Sequence, residues 1–362
     1  MIINPSEMQI VLNELYRRDK KELGISTYLG RELVCIIDQE KEQFYKQVNK
    51  KKWTDFIDSL GTTFGLSTNA LDELPNYGDI IQTFVASGLM MPEGLEGLKE
   101  DIDHYFSSKL GENRRKRAII ALDTNQLIQN TMSQYLEKSY SLKNPTIRNF
   151  ISYVISSWVI FERDNFLKRE KSAAVKELQS KLQKLNYILG EKYDKGARIG
   201  YSILAEMKKL EKASDILESN ETEERKQQII NSKNERDLAI INEYSNYSKS
   251  LKNTKFYYTT ADEQGKALAK DHLEFVSIKT PIELPNILPC NLEQSANLIY
   301  YLTLLFGYLR ISNYNIQTSI FFGGKKLSDW ENMLFNLESK DEIFMKQIEK
   351  LIMLTKKMNV IF

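Results

Sequence analysis

The chain has 362 residues, of which 42% are hydrophobic and 27% charged, enough apolar content for two domains or one elaborated domain. Its 50 Lys and Arg residues nearly balance its 49 Asp and Glu residues, which excludes binding of polyanions through overall charge, so a nucleic-acid surface must be a local patch. Two cysteines exclude a cysteine metal cluster, and two histidines give Ser-His-Asp or Cys-His catalysis no convincing setting.

The sequence also predicts the compartment. Its start lacks a signal-peptide pattern, and its longest apolar stretch, 298–309, is too short to span a bilayer. We therefore expect a soluble cytoplasmic protein without membrane association. No HExxH, GxGxxG or GxxxxGK[ST] motif occurs, so an enzyme with this sequence would depend on carboxylates.

Residues 1–112 are predicted to be a largely helical region. A long helix is expected from Thr27 to Leu60, where apolar residues recur at helical spacing. Pro92 is placed to start another helix, and Gly111 to end it. Nothing in this region carries recognisable chemistry, so it is interpreted as a scaffold, with substrate guiding or oligomerisation as alternatives.

An apolar run at 117–122 ends on Asp123. Such a run is typical of a strand buried on both faces of a parallel sheet, and ligands gather at the carboxyl ends of these strands. Asp123 can therefore face a metal at the sheet edge. Taken alone, it is better explained as the N-cap of the next helix.

A basic run precedes this strand and consists of Arg114, Arg115, Lys116 and Arg117. It is interpreted either as a solvated linker or as a phosphate-contacting edge close to an active site.

The next segments repeat the pattern of a strand followed by an acid. A strand is predicted at 150–155, and Glu162 lies about one turn into the helix that follows. Residues 165–232 are predicted to be an inserted helical hairpin, joined near 193–196, which is either a basic clamp on a phosphate backbone or a solvated hairpin. Asp237 lies near the start of a further helix.

A strand at 255–260 ends on Asp262 and Glu263, and a short strand at 274–278 follows. Residues 290–362 are predicted to be a separate small α+β unit for packing or oligomerisation. In sequence order, the segments between 117 and 280 predict a three-layer α/β/α parallel sheet. Four acids would share one of its edges: Asp123, Glu162, Asp237 and Asp262.

Carboxylates held together repel one another unless a cation joins them. Ligation by oxygen alone selects hard ions such as Mg²⁺ or Mn²⁺, which can activate water for attack on a phosphodiester.

Four motifs carry a resemblance to a known family: Ala121-Leu122-Asp123-Thr124-Asn125, Ile155-Ser156 followed by Glu162, Asp237-Leu238-Ala239-Ile240, and Thr259-Thr260-Ala261-Asp262. In this order they resemble the PIN domain, a family of metal-dependent nucleases, mostly ribonucleases, related in fold to flap endonucleases. The resemblance covers about residues 117–280. It implies that the four acids bind Mg²⁺ or Mn²⁺ and act in catalysis, with Asn125 and Thr260 in support.

Two assignments stay open, because Asp164 can substitute for Glu162 and Glu263 can share the role of Asp262. The resemblance implies an endonuclease that favours RNA over DNA. It does not cover the N- and C-terminal regions, through which a homo-oligomer or a protein partner is a separate expectation. The alternative is a non-catalytic nucleic-acid-binding or assembly protein on a PIN-like fold. A toxin-like nuclease with a small inhibitor ranks last, because the chain is long for that role.

Overall fold

The structure is a computed structural model that describes residues 1–27, 33–107, 116–168, 172–183, 195–218, 221–230, 232–312, 315–320 and 331–359. The chain forms two units. The antiparallel-sheet unit consists of residues 1–90, 170–198 and 282–362, and the parallel-sheet unit consists of residues 91–169 and 199–281.

The elements of the first half of the chain, in order, are β1 (Ile2–Ile3), α1 (Pro5–Arg17), β2 (Glu22–Thr27), β3 (Leu33–Asp38), β4 (Gln43–Lys46), α2 (Lys50–Phe64), α3 (Thr68–Asp72), α4 (Tyr77–Ala86), α5 (Leu95–Ser107), β5 (Arg117–Leu122), α6 (Thr124–Ile128), a π-helical segment (Met132–Glu137), α7 (Lys138–Lys143), α8 (Pro145–Arg148), β6 (Ile151–Ile155) and α9 (Ser157–Lys168). The second half contains α10 (Ala173–Gln183), α11 (Lys195–Leu210), β7 (Ser214–Ile216), α12 (Glu223–Ile230), α13 (Lys233–Ser250), β8 (Thr254–Thr260), α14 (Glu263–Ala269), β9 (Phe275–Ser277), β10 (Ile287–Pro289), α15 (Leu292–Phe306), β11 (Tyr308–Ser312), β12 (Ile316–Ser319), β13 (Phe335–Ser339) and α16 (Glu342–Asn359).

The antiparallel-sheet unit is built on eight strands in the order β1-β13-β12-β11-β2-β3-β4-β10. β2 pairs with β3 on one side and with β11 on the other. The N- and C-terminal regions, which the sequence predicts as separate units, therefore share one sheet.

The prediction of one long helix from Thr27 to Leu60 is wrong. Residues 33–46, expected within one long helix, form β3 and β4, and α2 begins only at Lys50. The apolar residues of β3 follow one another directly, and Val34, Cys35 and Ile37 are buried. That pattern is typical of a strand covered on both faces, and its pairing with β2 and β4 outweighs the local helical spacing.

The parallel-sheet unit has five strands in the order β7-β6-β5-β8-β9, and every neighbouring pair is parallel. β5 is the middle strand of this order, and its residues 118–122 are buried, as expected for a strand covered on both faces. Leu122 is level with Ile155 of β6 and with Thr259 of β8, so the carboxyl ends of the three strands align.

The strand order of this unit reverses between β5 and β8. The chain first adds β6 and β7 on one side of β5 and then places β8 and β9 on the other. In open parallel sheets such a reversal is a topological switch point, where ligands bind outside the carboxyl ends of the strands. The fold therefore favours a site at Asp123 and Thr260.

The four strands predicted for this sheet are confirmed by β5, β6, β8 and β9. A fifth strand, β7, lies inside the segment 165–232 that was predicted to be an inserted helical hairpin. The predicted junction of that hairpin falls mostly outside the described residues, which resume at Lys195 with α11. Among the described helices, none is long and apolar enough to cross a membrane.

Candidate functional site

Asp123 lies directly after β5 and is the N-cap of α6. Its Oδ1 accepts the backbone N–H of Thr124 at 2.8 Å, and its Oδ2 accepts the hydroxyl of Thr260 at 2.8 Å. The Asn125 side chain also lowers the pKa of this carboxylate. The residue is thus both a helix cap and the first acid at the switch point.

Thr260 joins Asp123 to Asp262. Its buried hydroxyl donates to Asp123 and accepts the backbone N–H of Asp262 at 3.0 Å. Asp262 is the N-cap of α14, and its Oδ1 accepts the N–H of Gln264 at 2.8 Å. The end of β8 thereby places a second acid next to the first.

Glu162 is the third acid of this network and is only 8% exposed. Its Oε2 accepts the hydroxyl of Thr124, and its Oε1 lies 2.6 Å from Nε of Arg236. Thr124 therefore contacts Asp123 through its backbone and Glu162 through its side chain. Asp164 is instead paired with Arg163 at 2.6 Å, so the structure places Glu162 in the network.

Asp237 follows Arg236 in α13. Its negative charge raises the pKa of Glu162 and that of Tyr258, so it lies within electrostatic range of both. Glu263 has a different environment: its side chain is 68% exposed and pairs with Lys266 at 2.8 Å and with Lys279. The structure therefore separates Asp237, which lies near the acids, from Glu263, which faces solvent.

The pKa values of the two central acids reflect this crowding. Burial is the main cause that raises the pKa of Asp123, and the charge of Asp262 raises it further, whereas the bonds from Thr260, Thr124 and Asn125 lower it. Burial also raises the pKa of Glu162, whereas Arg236 and Thr124 lower it. Several carboxylates in mutual repulsion form a place where a cation is stabilising.

The donor set can be compared with what a hard cation requires. Among the described residues, no three His, Cys, Asp or Glu side chains form a group that could hold one metal ion. Mg²⁺, however, retains several waters and needs only one or two carboxylates together with substrate phosphates. Asp123 and Asp262, joined through Thr260, meet this smaller requirement. The site thus fits a hydrated cation rather than one enclosed by four carboxylates.

Three residues of the site were not singled out from the sequence: Thr124, Arg236 and Tyr244. The hydroxyl of Tyr244 donates to the carbonyl of Leu122 at 2.7 Å and accepts the N–H of Ser156 at 2.8 Å. It therefore ties the carboxyl end of β5 to that of β6. The sequence pattern that could have identified Tyr244 is its spacing from Asp237: it lies seven residues later and therefore on the same face of the helix.

The two described residues of the basic run, Lys116 and Arg117, do not border this site. Arg114 and Arg115 lie outside the described residues, and the Lys116 ammonium donates to the carbonyl of Tyr105 at 2.7 Å. Arg117 is the first residue of β5, whereas Asp123 follows its last residue. Six residues of strand separate the two by about 20 Å. Lys116 and Arg117 therefore do not form the predicted phosphate-contacting edge close to an active site, because they lie at the opposite end of the strand from Asp123.

A cavity of about 740 Å³ lies elsewhere in this unit, and Trp158, Leu217 and Leu238 are part of its wall. The charged side chains among its described lining residues are four glutamates and one arginine: Glu218, Glu221, Glu235, Glu243 and Arg225. None of the four predicted site acids lines it. Because carboxylates repel phosphates, this cavity does not suit the backbone of a nucleic acid.

Comparison of the chain with protein-family models, with curated proteins and with solved structures finds no match. The similarity to the PIN family therefore depends on the four sequence motifs.

Proposed function

We propose that the parallel-sheet unit is a metal-dependent endonuclease with a PIN-like three-layer arrangement. The observation that supports this function is a continuous chain of contacts at the switch point, from Glu162 through Thr124 to Asp123 and through Thr260 to Asp262. It brings acids from three separate elements to one edge of the sheet. The preference for RNA over DNA follows from the resemblance alone.

Each residue of the chain has a role in this proposal. Asp123 and Asp262 hold a hydrated Mg²⁺ or Mn²⁺, and Thr260 and Asn125 fix the orientation of Asp123. Glu162, held between Thr124 and Arg236, orients the attacking water or, once Arg236 leaves it, ligates an ion. Asp237 completes the negative charge of the site. The ion, when bound, would make the water more acidic and polarise the phosphoryl oxygen.

Two lysines are candidates for contacts with substrate phosphates. Lys266 lies in α14, and Lys279 lies two residues after β9, so both belong to the carboxyl edge of the sheet. Ammonium groups in such positions can fix the register of a nucleic-acid backbone. They replace Lys116 and Arg117 in this role.

The test is cleavage of single-stranded RNA by Asp123→Asn in the presence of Mn²⁺. We expect a loss of rate of about a hundredfold or more, since metal activation contributes several kcal/mol to the transition state. Asp164→Asn is the matched control, because it removes a neighbouring acid that pairs with Arg163 outside the network. Cleavage by Asp123→Asn at the rate of Asp164→Asn contradicts the proposal.

A non-catalytic nucleic-acid-binding or assembly protein is the second candidate. It is favoured by the pairing of Glu162 with Arg236, which already neutralises one acid without any metal. Mn²⁺ titration separates the two functions. A silent protein binds no Mn²⁺ in an Asp123-dependent manner and retains equal RNA affinity in Asp123→Asn.

A further inference from the structure

Arg236 is a cation that pairs with Glu162 in the acid cluster, here defined as Asp123, Glu162, Asp237 and Asp262. Its Nε lies 2.6 Å from Glu162 Oε1, and both side chains are largely buried, with 23% and 10% exposure. The other carboxylate oxygen of Glu162 contacts a neutral hydroxyl, that of Thr124. Glu162 therefore has one charged and one neutral partner.

The charges of the cluster limit how many divalent cations it can hold. The four ionised carboxylates carry four negative charges, so Arg236 and one divalent cation together leave a single negative charge. A second divalent cation beside Arg236 would make the cluster positive and bring like charges together in a partly buried site. That arrangement is costly, because the repulsion of like charges is screened little there.

We propose that Arg236 is the counter-ion of the acid cluster and restricts it to one divalent cation in the absence of substrate. The first ion binds at Asp123 and Asp262, while Arg236 keeps Glu162 paired. A second ion binds at Glu162 only when Arg236 leaves that carboxylate. The proposal rests on the proposed function, because it specifies the number of metal ions in the same site.

Arg236→Met tests the proposal, because it removes the charge and keeps most of the aliphatic stem. We expect the wild type to bind one Mn²⁺ per chain and Arg236→Met to bind two. The first ion should bind Arg236→Met at least about tenfold more tightly, since a repelling positive charge is gone. The decrease of the free-Mn²⁺ electron paramagnetic resonance signal counts the ions, and spin coupling between two bound ions identifies a neighbouring pair.

Three further variants control the measurement. Arg236→Lys keeps the charge and should bind one ion. Lys255→Met removes a cation that pairs with Glu274 at 2.6 Å near the amino end of β8, and it should bind Mn²⁺ as the wild type does. The double variant Arg236→Met with Glu162→Gln leaves no unpaired carboxylate at this position. It should bind one ion, and it remains informative if Arg236→Met alone fails to fold.

The outcomes separate this inference from the proposed function. Asp123-dependent binding of one ion by the wild type, with equal stoichiometry and affinity in Arg236→Met, overturns the role of Arg236 only. Two ions in the wild type or in the double variant overturn it as well. If no variant binds Mn²⁺ in an Asp123-dependent manner, the metal-dependent function itself is overturned.

Discussion

Thr260→Val separates the charge-dependent part of the site from ordinary strand packing. The substitution keeps the shape of the side chain but removes a hydroxyl that donates to Asp123 and accepts from the N–H of Asp262. A hydrogen bond to a charged group contributes about 1.5–3 kcal/mol, and the second bond adds about 0.5–1.5 kcal/mol. We therefore expect the free energy of unfolding of the parallel-sheet unit to fall by about 2–4.5 kcal/mol at pH 7.

Thr259→Val is the matched control in the same strand. Thr259 is also fully buried, but its hydroxyl donates only to the neutral carbonyl of Ala121, at 2.9 Å. Its loss should cost about 0.5–1.5 kcal/mol. Native-state hydrogen exchange of the β5 and β8 amides measures both costs within this unit. Equal costs for the two variants would refute the idea that Thr260 stabilises a charged Asp123.

The pH dependence of this difference has a defined sign. The bond from Thr260 lowers the pKa of Asp123, so its removal raises that pKa further. The extra cost of Thr260→Val is therefore present while Asp123 is ionised and is lost as pH falls through the pKa values of the two proteins. The cost of Thr259→Val should not change over that range, because neither of its bonded groups titrates.

Three further predictions concern the same edge of the sheet. Burial raises the pKa of Asp123 above its unfolded value of about 3.9, so folding takes up a proton and the wild type loses stability as pH rises through the raised pKa. Asp123→Asn should therefore have a higher melting temperature than the wild type at pH 7, and this difference should disappear below about pH 4. A difference in melting temperature that is independent of pH contradicts this prediction. Tyr244→Phe should lower the free energy of unfolding by about 1–3 kcal/mol in urea titrations, because it leaves the carbonyl of Leu122 and the N–H of Ser156 without their bridge. Tyr247, a partly buried tyrosine of the same helix, is the control, and a cost no larger than that of Tyr247→Phe argues against this role of Tyr244. Glu263→Gln should cleave RNA at a rate within about twofold of the wild-type rate, whereas Asp262→Asn should cleave it about tenfold or more slowly, because Asp262 is joined to Asp123 through Thr260 and Glu263 pairs with Lys266. Equal losses of rate in the two variants would assign Glu263 to the site.

The parallel sheet could largely be predicted because its strands have a local signature. β5, β6 and β8 are apolar runs buried on both faces, and such runs are visible in the sequence. β7 has no such signature: it is a three-residue edge strand in which Asp215 and Ile216 are exposed. β3 was mistaken for helix because its pairing partners, β2 and β4, act through contacts that no local window contains.

The site could be predicted only as far as strand order determines it. Asp123 and Asp262 each follow a strand, so a parallel sheet brings them to one edge, and Thr260 lies between them for the same reason. The pairing of Arg236 with Glu162 depends on how α13 packs against α9, which the sequence does not specify. The prediction that Lys116 and Arg117 lie beside the site is wrong, because β5 separates them from Asp123 although all three are close in sequence.

Capping and metal binding are not competing explanations for Asp123. As N-caps, Asp123 and Asp262 each fix one carboxylate oxygen on a backbone N–H, so the helix ends themselves orient the two acids. A cap needs only a hydrogen-bond acceptor, whereas a cation site needs charge. Asn caps a helix as well as Asp does, so Asp123→Asn should preserve α6 while it removes the charge. Loss of Mn²⁺ binding with an intact fold would therefore report the charge and not the cap.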